Sequence, residues 1–286
     1  MIIAVTGAAG GVARVFLSHV PPEHDRHVLT HDLLDIGDHR EVMETLRDLK
    51  PEAIVNCAAM TNVDECERSP DVAYRTNATG PHNLALAARQ LGAMLLHIST
   101  DYVFDGTKPT PYDELDATNP LSVYGRSKLG GERMVREVLP EHFIVRTGYL
   151  FGSGTDYLTG AVNRLRAGET VGGLVDRTGT PTYVVHLADR LLPLMATERF
   201  GTYHLAGPEA TSWYDVLTRV KDKAGFRGEV AAQHAVDLNL PAPRPSNSAL
   251  ISLFVHDMGI DPMPSLDAAL EDAYGDPARS RDGTPS

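Results

Sequence analysis

Sulfur and tryptophan are scarce in this chain: 286 residues contain two cysteines and one tryptophan. Nothing in the placement of the cysteines resembles a disulfide framework or a thiolate metal site. Cys57 lies in the apolar run "AIVNCAA" and Cys66 in the acidic helical stretch "VDECERS", so a buried thiol and an incidental one are the plain readings. The 12 histidines include no H-E-x-x-H or comparable ligand spacing, and no G-x-S-x-G elbow marks a serine hydrolase. No apolar run reaches the length of a membrane span. Basic clusters are missing too: 26 Lys and Arg stand against 38 Asp and Glu, a formal net charge of −12. That balance argues against non-specific nucleic-acid binding, which depends on neutralising phosphates. It leaves room for an anionic small substrate, because a few placed arginines and helix N-termini hold phosphates on an acidic protein. The chain opens on "MIIAVTG" with no basic leader. A reduced, cytoplasmic, soluble protein that binds neither nucleic acid nor membrane is the expectation.

What is present is alternation. "IIAVTG" (2–7), "HVLTHD" (27–32), "AIVNCAA" (53–59), "MLLHIST" (94–100) and "FIVRTGYLF" (143–151) read as strands. Several are continuously apolar, as parallel strands covered on both faces are. Segments 11–20, 38–49, 71–91 and 123–138 between them have helical spacing. This predicts an α/β fold, a Rossmann-like doubly wound parallel sheet with right-handed crossovers. After residue 152 the rhythm breaks into glycine clusters and the proline-rich "NLPAPRPSNS", with helices expected at 186–197 and 212–224. The expected division is a dinucleotide-binding domain over 1–151, a smaller C-terminal substrate lobe over 152–275 whose chain can return to the first domain, and a disordered tail over 276–286.

"TGAAGGVA" joins the first strand to the first helix, with Gly7, Gly10 and Ala13 at i, i+3 and i+6. Small residues there let the backbone approach a pyrophosphate, and the helix N-terminus offers amides and a positive dipole end. An acid about 20 residues on completes the dinucleotide fingerprint, and Asp32 meets it. Its carboxylate can accept hydrogen bonds from a ribose diol and would repel a 2′-phosphate, and only Leu33 and Leu34 follow it. NADH over NADPH is therefore the expected preference.

In doubly wound sheets ligands bind at the C-terminal strand ends. "MLLHIST" would thus present the Thr100 hydroxyl at the crevice, 24 residues before "YGRSK". On a helix, Tyr124 and Lys128 share one face. Reducing a ketone by hydride creates an alkoxide that needs a proton and a hydrogen-bonding cradle. A tyrosine with a pKa of about 10 is a poor partner near neutral pH, and a neighbouring ammonium is expected to lower it.

"STDYVFDG" followed by "YGRSK" resembles the extended short-chain dehydrogenase/reductase family, closest to its dTDP-4-dehydrorhamnose reductase group. "NCAAMTNVDECE", "RTGYLFGSG", "GTPTYVVHLAD", "GTYHLAG", "TSWYDV" and "PRPSNSAL" are similar to that group's landmarks in order. The resemblance implies an NADH- or NADPH-dependent 4-ketoreductase acting on a dTDP-4-keto-6-deoxyhexose. It makes Tyr124 the proton donor, Lys128 the contact to the nicotinamide ribose, and Thr100 the hydrogen bond to the substrate carbonyl, with Asp101 beside the sugar. Gly10, Gly11 and Val12 would line the pyrophosphate turn; Asp32, Asp35 and Ile36 would surround the adenosine; Ala58, Ala59 and Met60 would lie further along the cofactor. Tyr149 falls where the group often has a tryptophan against the substrate, and Arg244 and Asn247 would face the substrate's nucleotide part. An exposed arginine in a proline-rich loop is the alternative for Arg244. Some members are dimers bridged by a cation on glutamates, but the two positions that can be placed are Val15 and Val185. No metal is therefore expected, and a monomer or a homodimer without a bridging metal follows. An NAD-retaining epimerase or dehydratase, and a non-catalytic regulatory subunit on the same fold, remain alternatives. Asp113, Glu114 and Asp116 read as a solvated acidic loop.

Overall fold

The protein is described by a computed structural model covering residues 1–275; the tail expected over 276–286 lies outside the described residues. The first half runs β1 (Ile2–Thr6), α1 (Gly11–His19), β2 (Asp25–Leu29), α2 (His39–Leu49), β3 (Ala53–Asn56), α3 (Val63–Arg68), α4 (Pro70–Tyr74), α5 (Gly80–Leu91), β4 (Met94–Thr100), α6 (Val123–Val138) and β5 (His142–Thr147). The second half runs β6 (Leu150–Phe151), α7 (Tyr157–Arg166), β7 (Thr170–Leu174), β8 (Thr178–Gly179), β9 (Thr182–Tyr183), α8 (Val184–Ala196), β10 (Gly201–His204), β11 (Thr211–Ser212), α9 (Trp213–Ala224), β12 (Glu229–Gln233) and α10 (Leu266–Tyr274).

Six parallel strands form the central sheet in the order β10-β5-β4-β3-β1-β2. The strands buried on both faces, Ala53–Asn56 and His142–Thr147, are the runs without polar alternation. One face packs Ile3, Val5, Phe16, Val55, Phe143 and Val145 against α1 and α8; the other packs Ile54, Leu84, Leu95, Val135 and Ile144 against α2, α5 and α6. Val15 is buried in the first of these clusters and Val185 packs against it. The two valines thus occupy an apolar seam.

The chain leaves the sheet after β5 and comes back to it. Residues 184–204, as α8 and β10, return to the sheet and add its sixth strand beside β5. A separate apolar cluster, with Phe151, Leu158, Val162, Leu165, Val216, Leu217 and Leu270, holds α7, α9 and α10 together.

Three local readings are corrected. The strand expected at 27–32 is Asp25–Leu29, and Thr30 opens a turn by accepting the backbone N–H groups of Leu33 and Leu34. The strand expected at 143–151 breaks at Tyr149, whose φ of 49° is left-handed. Segment 71–91 is α4 and α5 joined by a π-helical turn, Arg75–Thr79, which feeds Pro81 into the first turn of α5, where its missing N–H costs no helical bond.

Candidate active site

The C-terminal ends of β1, β3 and β4 converge on one crevice. At the end of β1, Gly7 has φ 66°, and a Cβ there would lie 2.5 Å from the Ala58 backbone. Only glycine allows that approach of the first turn to the end of β3. A Cβ on Gly11 would lie 2.4 Å from Ser153 Cβ, and Gly10 caps α1 with no side-chain hydrogen bond. The first-turn amides of α1 are thus uncovered by any capping side chain, as an anion site requires. Val12, Ala58, Ala59 and Met60 are half-buried along the same edge. A dinucleotide fits this cradle on the shape of its backbone alone.

On the adenosine side the picture is more varied. Asp32 is exposed in the turn three residues past β2. Asp35 is held by Arg75 Nη2 at 2.7 Å and by the Gly37 N–H at 2.9 Å. Burial alone would raise the Asp35 carboxyl; those two donors outweigh it and hold it below the ordinary value. Ile36 is in the core, 4% exposed, against the face of Gly80; its carbonyl accepts Asn83 Nδ2. Its side chain is therefore a packing element rather than an open cofactor surface. Arg75, a cation beside the acid, comes from the π turn 40 residues on in sequence.

The candidate catalytic groups gather around the end of β4. Thr100 is 4% exposed and Asp101 3%. Thr100 Oγ1 donates to Asp101 Oδ1 at 3.0 Å, and Ser248 Oγ donates to Asp101 Oδ2 at 2.5 Å. Gly148 makes room for this carboxylate: a Cβ there would be 2.4 Å from Asp101 Cγ. Burial pushes the Asp101 carboxyl up to about 6 despite these donors. Tyr124 sits in the first turn of α6, capped by Ser122, with its ring edge-on to Tyr102 at 5.8 Å. Thr100, at the end of β4, is the one side chain whose hydroxyl favours the Tyr124 phenolate.

The expected lowering of the Tyr124 phenol is not what this arrangement produces. Burial raises it, Asp101 and Tyr102 add to the rise, and only Thr100 opposes them; Lys128 is not among its main influences. The phenol holds its proton. Lys128, 2% exposed, is tied down by Nζ donating to the Ile98 carbonyl at 2.7 Å. Burial lowers its ammonium to about 8. Cys66, read as incidental, is the buried cysteine, while Cys57 is half-buried; burial pushes the Cys57 thiol up to about 12 and the Cys66 thiol to about 11, so neither is a reactive thiolate.

The C-terminal half supplies the remaining candidates. Tyr149 stacks on Trp213, ring centroids 4.8 Å apart, and fills the space a Cβ on Gly179 would take. Arg244 holds Asp64 in a two-point ion pair at 2.9 and 2.8 Å. Asn247 gives its amide N–H groups to the Lys108 and Thr110 carbonyls and accepts from Ala249 N, which shapes the loop that carries Ser248. Glu114 is no solvated acid: it accepts from His204 N, Ser252 Oγ and Leu253 N. Asp116 likewise pairs with Lys108 at 2.5 Å. Sequence reasoning missed Asn56, Arg75, His97, Trp213 and Ser248. Trp213, the sole tryptophan, was the one among them with a signal in the composition.

The comparisons with known proteins agree with this geometry. The profile described as "RmlD substrate binding domain" matches residues 1–277. The chain belongs to that family. It is 38% identical over 288 residues to the dTDP-4-dehydrorhamnose reductase of Mycobacterium tuberculosis, covering 97% of this chain and 94% of that one. It is 38% identical over 283 residues to the Streptomyces griseus protein of that name, covering 94% and 92%. A crystal structure of dTDP-4-dehydrorhamnose reductase from Bacillus anthracis in complex with NADP superposes with a TM-score of 0.92 at 33% identity, over 96% of this chain and 98% of that one. The central parallel sheet places the family member among Rossmann-like α/β proteins. Among the described residues, no helix is long and apolar enough to cross a membrane.

Proposed function

We propose that this family member is an NAD(P)H-dependent reductase of the C4 keto group of a dTDP-4-keto-6-deoxyhexose. The observation that carries the reading is the set of Thr100 at the end of β4 with Tyr124 and Lys128 one turn apart on α6, beside the glycine cradle, with a phenol that burial keeps protonated. The names of the relatives supply the substrate class.

A bound dihydronicotinamide supplies the hydride. The keto oxygen gains negative charge as C4 is reduced, and the Tyr124 phenol, buried and protonated, gives it a proton. The Thr100 hydroxyl turns from Asp101 to that oxygen and stabilises the developing charge. Lys128, fixed beneath the strand end by Ile98, is one turn from Tyr124 on the same helix face and assists return of a proton to the phenolate. Tyr149 on Trp213 forms an apolar wall for the deoxysugar, and Arg244 faces the diphosphate once Asp64 releases it.

NADH is the preferred donor in this reading, because Asp32 repels a 2′-phosphate and Asp35 already occupies Arg75. The working form is a cytoplasmic monomer or homodimer without a bridging metal. Purified protein incubated with the dTDP-4-keto-6-deoxyhexose and NADH should consume one reduced nucleotide per sugar, with a lower kcat/KM for NADPH. No oxidation with either nucleotide would overturn the reading; a clear NADPH preference would overturn only the cofactor choice.

A further inference from the structure

A buried polar chain runs beneath the site to Lys128 through three side chains, Thr6, Asn56 and His97, that the reduction itself does not use. Thr6 Oγ1 on β1 donates to Asn56 Oδ1 on β3 at 2.7 Å, and Asn56 Nδ2 meets His97 Nδ1 on β4 at 2.9 Å. His97 Nε2 in turn lies 3.5 Å from Lys128 Nζ on α6. Thr6, Asn56, His97 and Lys128 are each at most 2% exposed.

One backbone group fixes every proton along this chain. The Ala58 N–H points at Asn56 Oδ1 at 3.0 Å, and a backbone N–H can only donate. The atom it meets is therefore the amide oxygen, and the amide NH2 faces His97. An NH2 can only donate as well, so His97 Nδ1 presents its lone pair. Burial, with the Lys128 and Arg136 charges, holds the His97 imidazole far below its ordinary value, hence neutral. A neutral ring with a bare Nδ1 carries its proton on Nε2, and that N–H points at Lys128.

We propose that His97 is a positioning residue for Lys128: Asn56 locks it in the Nε2–H tautomer, and its N–H favours the neutral amine over the ammonium. Facing an N–H, an ammonium brings two donors together, whereas an amine accepts the proton while still donating to the Ile98 carbonyl. The other groups around Lys128 work partly against this. Glu132, one turn along α6, favours the ammonium, as would a Cys57 thiolate at the end of β3. Glu132 is itself neutralised by Arg146 and Arg136, with Ser99 as a further donor, and Cys57 stays a thiol. Lys128 is thus left poised to release a proton near neutral pH, which is what reprotonating Tyr124 needs. Calling Lys128 catalytic rests on the proposed reductase reading; the His97 tautomer and its effect on Lys128 do not.

The chain has five lysines, Lys50, Lys108, Lys128, Lys221 and Lys223, so NMR of lysine-labelled protein resolves Lys128 directly. Nitrogen-15 shifts of histidine-labelled wild-type protein, with His97→Phe for assignment, should show His97 as a neutral Nε2–H tautomer throughout the stable pH range. Asn56→Asp keeps both acceptor contacts but turns an oxygen toward the ring. It should switch His97 to the Nδ1–H form and raise the Lys128 midpoint by at least about one pH unit. The added charge also raises that midpoint, so Asn56→Asp/His97→Phe is the control, and its midpoint should lie below that of Asn56→Asp. A wild-type Nδ1–H tautomer, or equal midpoints in the single and double variants, would overturn the proposal. The wild-type measurement stands even if a variant fails to fold. None of these readouts uses turnover, so a failed reductase reading leaves them interpretable.

Discussion

Arg244 and Asp64 are 180 residues apart in sequence and form a two-point ion pair that ties the loop after β12 to α3. Arg244 is the first donor holding the Asp64 carboxyl below its ordinary value, helped by Ala242 N and Arg68. A carboxyl lowered in the folded state contributes stability above its unfolded pKa of about 4, and that contribution is lost as pH falls through the lower folded value. Asp64→Asn should therefore narrow the stability gap to wild type below about pH 4, as measured by urea midpoints across pH. In the proposed function Arg244 also faces the diphosphate. Arg244→Ala should raise KM for the dTDP-sugar roughly ten- to a hundredfold, the loss of one charge-assisted contact, with KM for NADH unchanged. An unchanged sugar KM would leave Arg244 a structural latch.

Asp101 has the opposite sign. Burial raises its carboxyl to about 6, above the unfolded value of about 4. The folded state then favours the neutral form, and its advantage is lost as pH rises between those values. Asp101→Asn keeps a neutral group of the same shape beside Thr100. Relative to wild type, the variant should gain stability from about pH 4 to pH 6 and hold that gain above. Parallel stability curves for the two proteins would contradict the raised carboxyl.

Gly7 tests the cradle. Gly7→Ala places a methyl 2.5 Å from the Ala58 backbone and a side chain at φ 66°. The two penalties together should cost at least about 2 kcal/mol of folding stability and weaken NADH binding by a larger factor than sugar binding. Gly92→Ala is the control: it has a similar φ of 67° but open space for the methyl, and should lose only about 1 kcal/mol.

What was legible from the chain is what is local. The turn from Gly7 to Ala13, the helix over 123–138 and the apolar runs of β3 and β5 are each set by residues within a few positions of one another, and those periodicities survive folding. Asp35 paired with Arg75, Asp101 with Ser248, and the Asn56–His97–Lys128 chain depend on side chains brought together by the parallel register of β1, β3 and β4 and by the return of the C-terminal loop. No spacing rule encodes such pairs. His97 in particular reads as one histidine in an apolar strand, and its partner is visible only when β3 lies beside β4. The π turn was hidden for a related reason: its extra residue leaves the helical composition of 71–91 intact while shifting Arg75 onto Asp35. The phenol's direction of shift is not legible in the sequence, because four-residue spacing shows the proximity of Lys128 but not the burial that outweighs it.

Tyr124→Phe, assayed for reduction of the dTDP-4-keto-6-deoxyhexose with NADH binding titrated separately, tests the central claim most directly. Turnover should fall by at least roughly a hundred- to ten-thousandfold, the contribution of a placed general acid, while the dissociation constant for NADH stays within about twofold. Turnover near the wild-type rate, with binding intact, would contradict Tyr124 as the proton donor.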